Sequence, residues 1–161
     1  MSTTFNADEV FELAEQIERN GAKFYRAAAE KLPAVREVLT DLAVMEDEHE
    51  KTFAEMRLQL SSREREQLVF DPDGEAQMYL RVMAGGQVFD VKSEPAEQLK
   101  GKETAEDILE TAIDIEKESI AFYAGLKECI PSRAGKNKVK AIIREEFVHI
   151  ATLNEKLSAL K

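Results

Sequence analysis

Residues 14–25 read Ala14-Glu15-Gln16-Ile17-Glu18-Arg19-Asn20-Gly21-Ala22-Lys23-Phe24-Tyr25, and residues 112–123 read Ala112-Ile113-Asp114-Ile115-Glu116-Lys117-Glu118-Ser119-Ile120-Ala121-Phe122-Tyr123. The alanine, the isoleucine, the glutamate and the Phe-Tyr pair return at a constant offset of 98 positions, and Pro33 returns as Pro131 at the same offset. Further along, Glu46-Asp47-Glu48-His49 returns as Glu146-Phe147-Val148-His149, now offset by 100, as a two-residue length change near the interhelix turn would produce. A duplicated helix pair accounts for the pattern. Polar residues are repeated as well as apolar ones, so the copied unit carries more than a core.

Working outward, the first helix opens on Phe5-Asn6-Ala7-Asp8-Glu9-Val10. Asn6 stands at the cap with Glu9 three residues on, and Phe5 and Val10 are placed to close a hydrophobic staple. Val10, Leu13, Ile17, Phe24 and Ala28 follow at helical spacing up to Leu32. Pro33 breaks the run and suits the first turn of a second helix. That helix carries Val35, Val38, Leu42, Met45, Phe53 and Met56 on one side and fades near Ser61-Ser62. A third helix is expected from Thr104, capped with Asp107, with Ile108, Ile115, Phe122 and Leu126 as its apolar face. A fourth, with Ser132 as candidate cap, runs through Val139, Ile142, Ile143, Ile150 and Leu153. The expected architecture is all-α, one domain over 1–161, with helix pairs 6–60 and 104–160 joined by a crossover at 61–103. Within the crossover, Asp71-Pro72-Asp73-Gly74 reads as a turn, Glu75 to Met83 as a short helix and Gly85-Gly86 as its end, with no clear strand pattern. So long a connection suits neighbouring helices that run parallel.

Composition narrows the function classes. A chain of 161 residues with 43% hydrophobic and 34% charged residues can bury a real core without staples. The net charge of −10 repels phosphate backbones and anionic lipid, so neither nucleic acid nor a membrane surface is an expected partner. Small cations are instead concentrated. Met1-Ser2-Thr3-Thr4 has no basic start or apolar stretch, which points to the cytoplasm. The lone Cys129 cannot build a thiolate metal centre and reads as a small core residue near a helix end.

The chemistry rests on the two histidines. His49 and His149 are the only ones in the chain, and each follows a glutamate by three residues, Glu46 and Glu146. Residues three apart share a helix face, so carboxylate and imidazole can reach the same ion or adjacent ions. Both pairs sit among apolar residues, Leu42, Met45 and Phe53 around one and Ile142, Ile143 and Leu153 around the other. Unpaired carboxylates facing a core are costly, and cations remove the cost. Glu18 and Glu116 follow apolar isoleucines at equivalent places in the repeat, completing a set of four glutamates and two histidines from four helices. This is the ligand pattern of di-iron and di-manganese carboxylate bundles. Four carboxylates carry a charge of about −4, which two divalent ions neutralise. Oxygen and imidazole donors suit iron or manganese, and zinc can occupy the same ligands. The competing reading pairs Glu and His as buried hydrogen bonds without metal.

Taken together, Ile17 to Tyr25, Glu46 to His49, Ile115 to Tyr123 and Glu146 to His149 resemble the rubrerythrin branch of the ferritin-like superfamily, over nearly the whole chain apart from the crossover. The resemblance implies two iron ions bridged by Glu46 and Glu146, with Glu18 and Glu116 bound at the ends. It implies oxidation of ferrous iron by oxygen or hydrogen peroxide, a role in iron or oxidative-stress homeostasis, a separate electron donor and a homodimer. Two departures weaken the peroxidase reading. The chain lacks a four-cysteine rubredoxin module, and the positions three from Glu116 are Ile113 and Ser119 where those peroxidases carry an extra glutamate. A metal-binding or iron-handling protein without turnover is the alternative, and an interaction module with a structural metal is a third.

Tyr25 and Tyr123 lie seven residues after Glu18 and Glu116. They are candidate catalytic phenols that hydrogen-bond a ligand carboxylate or donate an electron; the plainer reading is a core aromatic with a satisfied hydroxyl. Glu48, Glu50 and Glu55 are expected to face water, and Arg133, Lys136, Lys138 and Lys140 to form a solvated basic face or dock an acidic donor. Asp71-Pro72-Asp73-Gly74 has the wrong spacing for a calcium loop.

Overall fold

The helical periods of the sequence become four long helices in the computed structural model, which describes residues 5–66, 71–85 and 94–161. They are α1 (Ala7–Lys31), α2 (Arg36–Leu58), α5 (Ala105–Cys129) and α6 (Lys136–Leu160). Between α2 and α5 come the short helices α3 (Ser62–Arg65) and α4 (Glu75–Ala84), and there is no strand among the described residues. The reading of Met1 to Thr4, and Gly86 as a helix end, lie outside the described residues.

Local chemistry sets the helix ends. Asn6 accepts from the Glu9 amide at 2.8 Å while Glu9 accepts from the Asn6 amide at 2.9 Å, and Thr104 and Asp107 form the same reciprocal box on α5. Each satisfies donors a helix start leaves orphaned. Phe5 packs against the apolar cluster that contains Val10. Pro33 does not open α2 directly: Pro33–Val35 forms a tight 3-10 turn and α2 begins at Arg36. Ser132 is not the cap of α6 either. It lies in a 3-10 turn, and Gly135, at φ 106°, is the residue before α6. Only glycine tolerates that backbone, and a Cβ there would also sit 2.6 Å from the Met56 sulfur.

Inside the bundle the apolar residues fall into two clusters. One gathers Val10, Phe11, Phe53, Met56, Phe122, Leu126 and Val139 among others; the second gathers Phe24, Leu39, Leu42, Ile108, Leu109, Ile115 and Leu153. On every long helix the glutamates and histidines of the sequence pattern fall between the two. A polar layer therefore crosses the core at mid-height. Traced along the chain, α1 and α6 pass from the first cluster to the second, whereas α2 and α5 both pass from the second to the first. Those two helices are parallel, so a hairpin cannot join them and the long crossover is required.

The crossover is tied down at its start and in its middle. Ser61 and Glu64 cap α3 reciprocally, and Arg65 reaches Asp8 of α1 at 2.6 Å. Asp71-Pro72-Asp73-Gly74 is a turn, closed by the Gly74 amide on the Asp71 carbonyl. On α4, Leu80 is fully buried and the Tyr79 hydroxyl donates to the Ala121 carbonyl of α5 at 2.6 Å. Among the described residues, no helix is long and apolar enough to cross a membrane.

Candidate metal centre

Each of the four long helices sends a carboxylate into the mid-height layer, and α2 and α6 add an imidazole one turn further on. Glu18, Glu46, His49, Glu116, Glu146 and His149 come together there, none more than 3% exposed. They form two overlapping donor sets: Glu18, Glu46, His49 and Glu146, and Glu46, Glu116, Glu146 and His149. Within each set one ligand atom per residue lies within 4.8 Å of every other. Glu46 and Glu146 belong to both sets, as shared bridges would, while Glu18 and Glu116 each belong to one. The imidazoles face each other nearly parallel, ring centres 5.6 Å apart.

The contacts are close but badly aligned for hydrogen bonding. His49 Nδ1 stands 3.1 Å from Glu146 and 3.5 Å from Glu18; His149 Nδ1 stands 2.7 Å from Glu146, 3.4 Å from Glu46 and 3.6 Å from Glu116. Yet Glu18 Oε2, Glu46 Oε1, Glu116 Oε2, both Glu146 oxygens, both Nδ1 atoms and His149 Nε2 are buried without a hydrogen-bond partner. Among the described residues, all such orphaned side-chain atoms belong to these six groups. Each would cost about 1–3 kcal/mol in a closed core, more when charged. Seven of the eight belong to the converging carboxylates and Nδ1 atoms; the donor set and its shortage of protons fit a pair of divalent ions.

Proton affinities follow the crowding. Burial, reinforced by Glu18, Glu116 and Glu146, holds the Glu46 carboxyl well above its ordinary range. Burial and the neighbouring Glu116 and Glu18 push Glu146 up to about 8. For the histidines burial works downward, but carboxylates outweigh it: Glu146 and Glu18 lift His49 to about 11, and Glu116 and Glu146 lift His149 to about 9. Glu116 moves the other way. Burial opposes the shift, but His149, Glu146 and the Tyr25 hydroxyl bring it below its ordinary value. Without cations, protons gather in the layer in their place.

The tyrosines cross over. Tyr25 of α1 donates to Glu116 of α5 at 2.5 Å, and Tyr123 of α5 donates to Glu18 of α1. Both rings are buried, one in each apolar cluster. Burial and the adjoining carboxylates push both hydroxyls well above their ordinary range, so they stay donors. Each fixes the carboxylate that belongs to a single donor set.

Two supporting residues have no sequence signal of their own. Gly21 packs under Glu46, where a Cβ would approach Oε2 to 3.0 Å. Glu145, one residue before Glu146 on α6, has its Oε2 2.6 Å from His49 Nε2. Two expectations change. Met45 is 38% exposed and does not wall the site. Glu50 is half-buried and paired with Arg19, while Glu48 and Glu55 are exposed. In the basic stretch, Arg133 pairs with Glu64 at 2.7 Å.

No family model and no curated protein matches the chain. Among solved structures, a protein from Thermotoga maritima proposed to be a ferritin-like diiron-carboxylate protein is similar over 100% of both chains, at 24% identity and a TM-score of 0.77. At that identity the likeness speaks for the fold. The fold is ferritin-like: a four-helix bundle with its long crossover between the second and third long helices.

Proposed function

We propose, starting from that ferritin-like frame, that the chain is a non-haem di-iron oxidoreductase of rubrerythrin type that oxidises ferrous iron with oxygen or hydrogen peroxide. The observation that carries this reading is the concentration of every orphaned buried side-chain atom among the described residues on four carboxylates and two imidazoles. Two ferrous ions, when bound, supply the two electrons that turn hydrogen peroxide and two protons into two waters, or oxygen and two protons into hydrogen peroxide.

The protein's own part is to hold and shield. Glu46 and Glu146, members of both donor sets, would span both positions, Glu18 with His49 and Glu116 with His149 would complete one each, and the two tyrosines brace the outer carboxylates. The apolar clusters above and below exclude bulk water, which strengthens each charge interaction in the layer. Manganese or zinc fits the same donors. The same reading carries a cytoplasmic location, a separate electron donor and a symmetric dimer.

Anaerobic loading of the apoprotein with ferrous iron, followed by repeated additions of oxygen or peroxide, tests it. Oxidation over many turnovers, read by absorbance, is the expected result. A single stoichiometric oxidation would instead indicate iron handling without turnover, and no colour change a structural metal.

A further inference from the structure

The two donor sets are related by the internal repeat, but the outer nitrogens of their histidines are not treated alike. His49 Nε2 faces the Glu145 carboxylate at 2.6 Å, whereas His149 Nε2 is buried with no hydrogen-bond partner among the described residues. The repeat explains how this arises. Glu145 precedes Glu146, and the residue preceding Glu46 is Met45, which has no acceptor to offer an imidazole beyond a weak thioether. Glu145 is itself 55% exposed, so it reaches inward from the surface of α6 across to α2.

We infer that Glu145 is a positioning residue that makes the two metal positions unequal, the ion held by Glu18 and His49 binding first and more tightly than the ion held by Glu116 and His149. This rests on the metal-centre reading above and deepens it. The Nδ1 atom of each histidine is the one that faces the carboxylates, so metal binding requires Nδ1 bare and the proton on Nε2. A carboxylate on Nε2 selects that tautomer, fixes the ring plane and makes the imidazole a stronger donor. His49 has this support. His149 must carry its Nε2 proton in a buried position without an acceptor among the described residues, with the desolvation penalty of an unpaired donor. The remaining ligands do not offset the difference, because Glu46 and Glu146 serve both positions and each outer glutamate has its own tyrosine.

Outer partners of this kind change metal affinity by about 10–100-fold. Titration of the apoprotein with cobalt(II), followed by calorimetry and visible absorption, should therefore resolve two steps separated by at least about tenfold. In Glu145→Met, which copies the other half of the repeat, the tighter step should weaken until the two merge; Glu145→Gln, whose amide oxygen still accepts, should restore part of the gap. A second readout is independent of affinity. With only two histidines in the chain, the imidazole N–H signals of the zinc-loaded, nitrogen-15-labelled protein are assignable. One Nε2–H should lie far downfield in the native protein and lose that displacement in Glu145→Met while the other stays put. Two equal steps in the native protein, or separated steps that Glu145→Met leaves unchanged, would overturn the inference while leaving the metal centre standing. Failure to bind cobalt at all would overturn both.

Discussion

The α1–α2 seam and the α5–α6 seam descend from one pattern and are now stitched differently. In the first, Arg19 pairs with Glu50, Arg26 with Asp47, and Arg57 with Asp8 and Glu15. The positions matching Asp47, Glu50 and Arg57 in the second half are Phe147, Ile150 and Leu157. Leu157 is buried, Ile150 half-buried and Phe147 exposed. At these positions the first seam adds ion pairs and the second apolar side chains, on top of the apolar core that both share, yet the mid-height layer presents the same carboxylates and imidazole from each. Seam chemistry is therefore interchangeable in this bundle, because either kind brings two antiparallel helices together. The layer is not interchangeable, since each of its groups relies on the others for charge balance.

The severest test of that contrast is Glu46→Ala. It removes a group shared by both donor sets, so at least one of two ions per chain should be lost, as measured by elemental analysis after loading; full metal content would refute the shared role. Next comes the dependence on pH. Without metal, Glu146 at about 8, His149 at about 9 and His49 at about 11 bind protons more tightly than their ordinary values of 4.5 and 6.5. Between their ordinary and their raised values the native state holds more of these protons than the unfolded chain, so across that window stability falls as pH rises. The metal-free protein should melt at progressively lower temperature from about pH 6 to pH 9. Loading should expel those protons, so cation affinity rises over the same range and the loaded protein should not share the decline.

Smaller effects separate seam from layer. Leu157→Ala should cost about 2–3 kcal/mol by urea denaturation, as a buried apolar truncation near a helix end. Tyr25→Phe and Tyr123→Phe each delete one hydroxyl bond to a carboxylate and should each cost about 1.5 kcal/mol, near-equal values being the signature of matched outer carboxylates. Arg57→Ala, at the position matching Leu157, should cost less than about 1 kcal/mol, since its partners remain in contact with water. Reversal of the Leu157 and Arg57 costs would show that charge, not apolar burial, holds the bundle.

Much of this was legible in the residues themselves. Helix starts with reciprocal caps, the break at Pro33 and the parallel pair behind the crossover all follow from short-range chemistry or from the repeat. The six polar groups were visible because few residue types recur at matched positions in both halves. What escaped depends on neighbours distant in sequence. The tyrosine pairing is an example: seven residues along a helix is a rise of roughly 10 Å, too far for Tyr25 to reach Glu18, so its partner had to come from another helix. Glu145 is a second case, because only the approach of α6 to α2 gives it a function. The start of α6 just after Gly135 and not after Ser132 turned on a left-handed backbone and the Met56 side chain, neither of which a capping preference encodes.

The interrupted core has a consequence for how the molecule comes apart. Among the described residues the two apolar clusters lie on either side of the charged layer, so side-chain packing between the ends of the bundle passes through whatever neutralises that layer. Cations bound there would act as a rivet between two separately packed plugs. Remove them, and amide exchange at the end holding Phe11 and Phe122 should lose its correlation with exchange at the end holding Leu39 and Leu109, whereas the loaded bundle opens as one cooperative body.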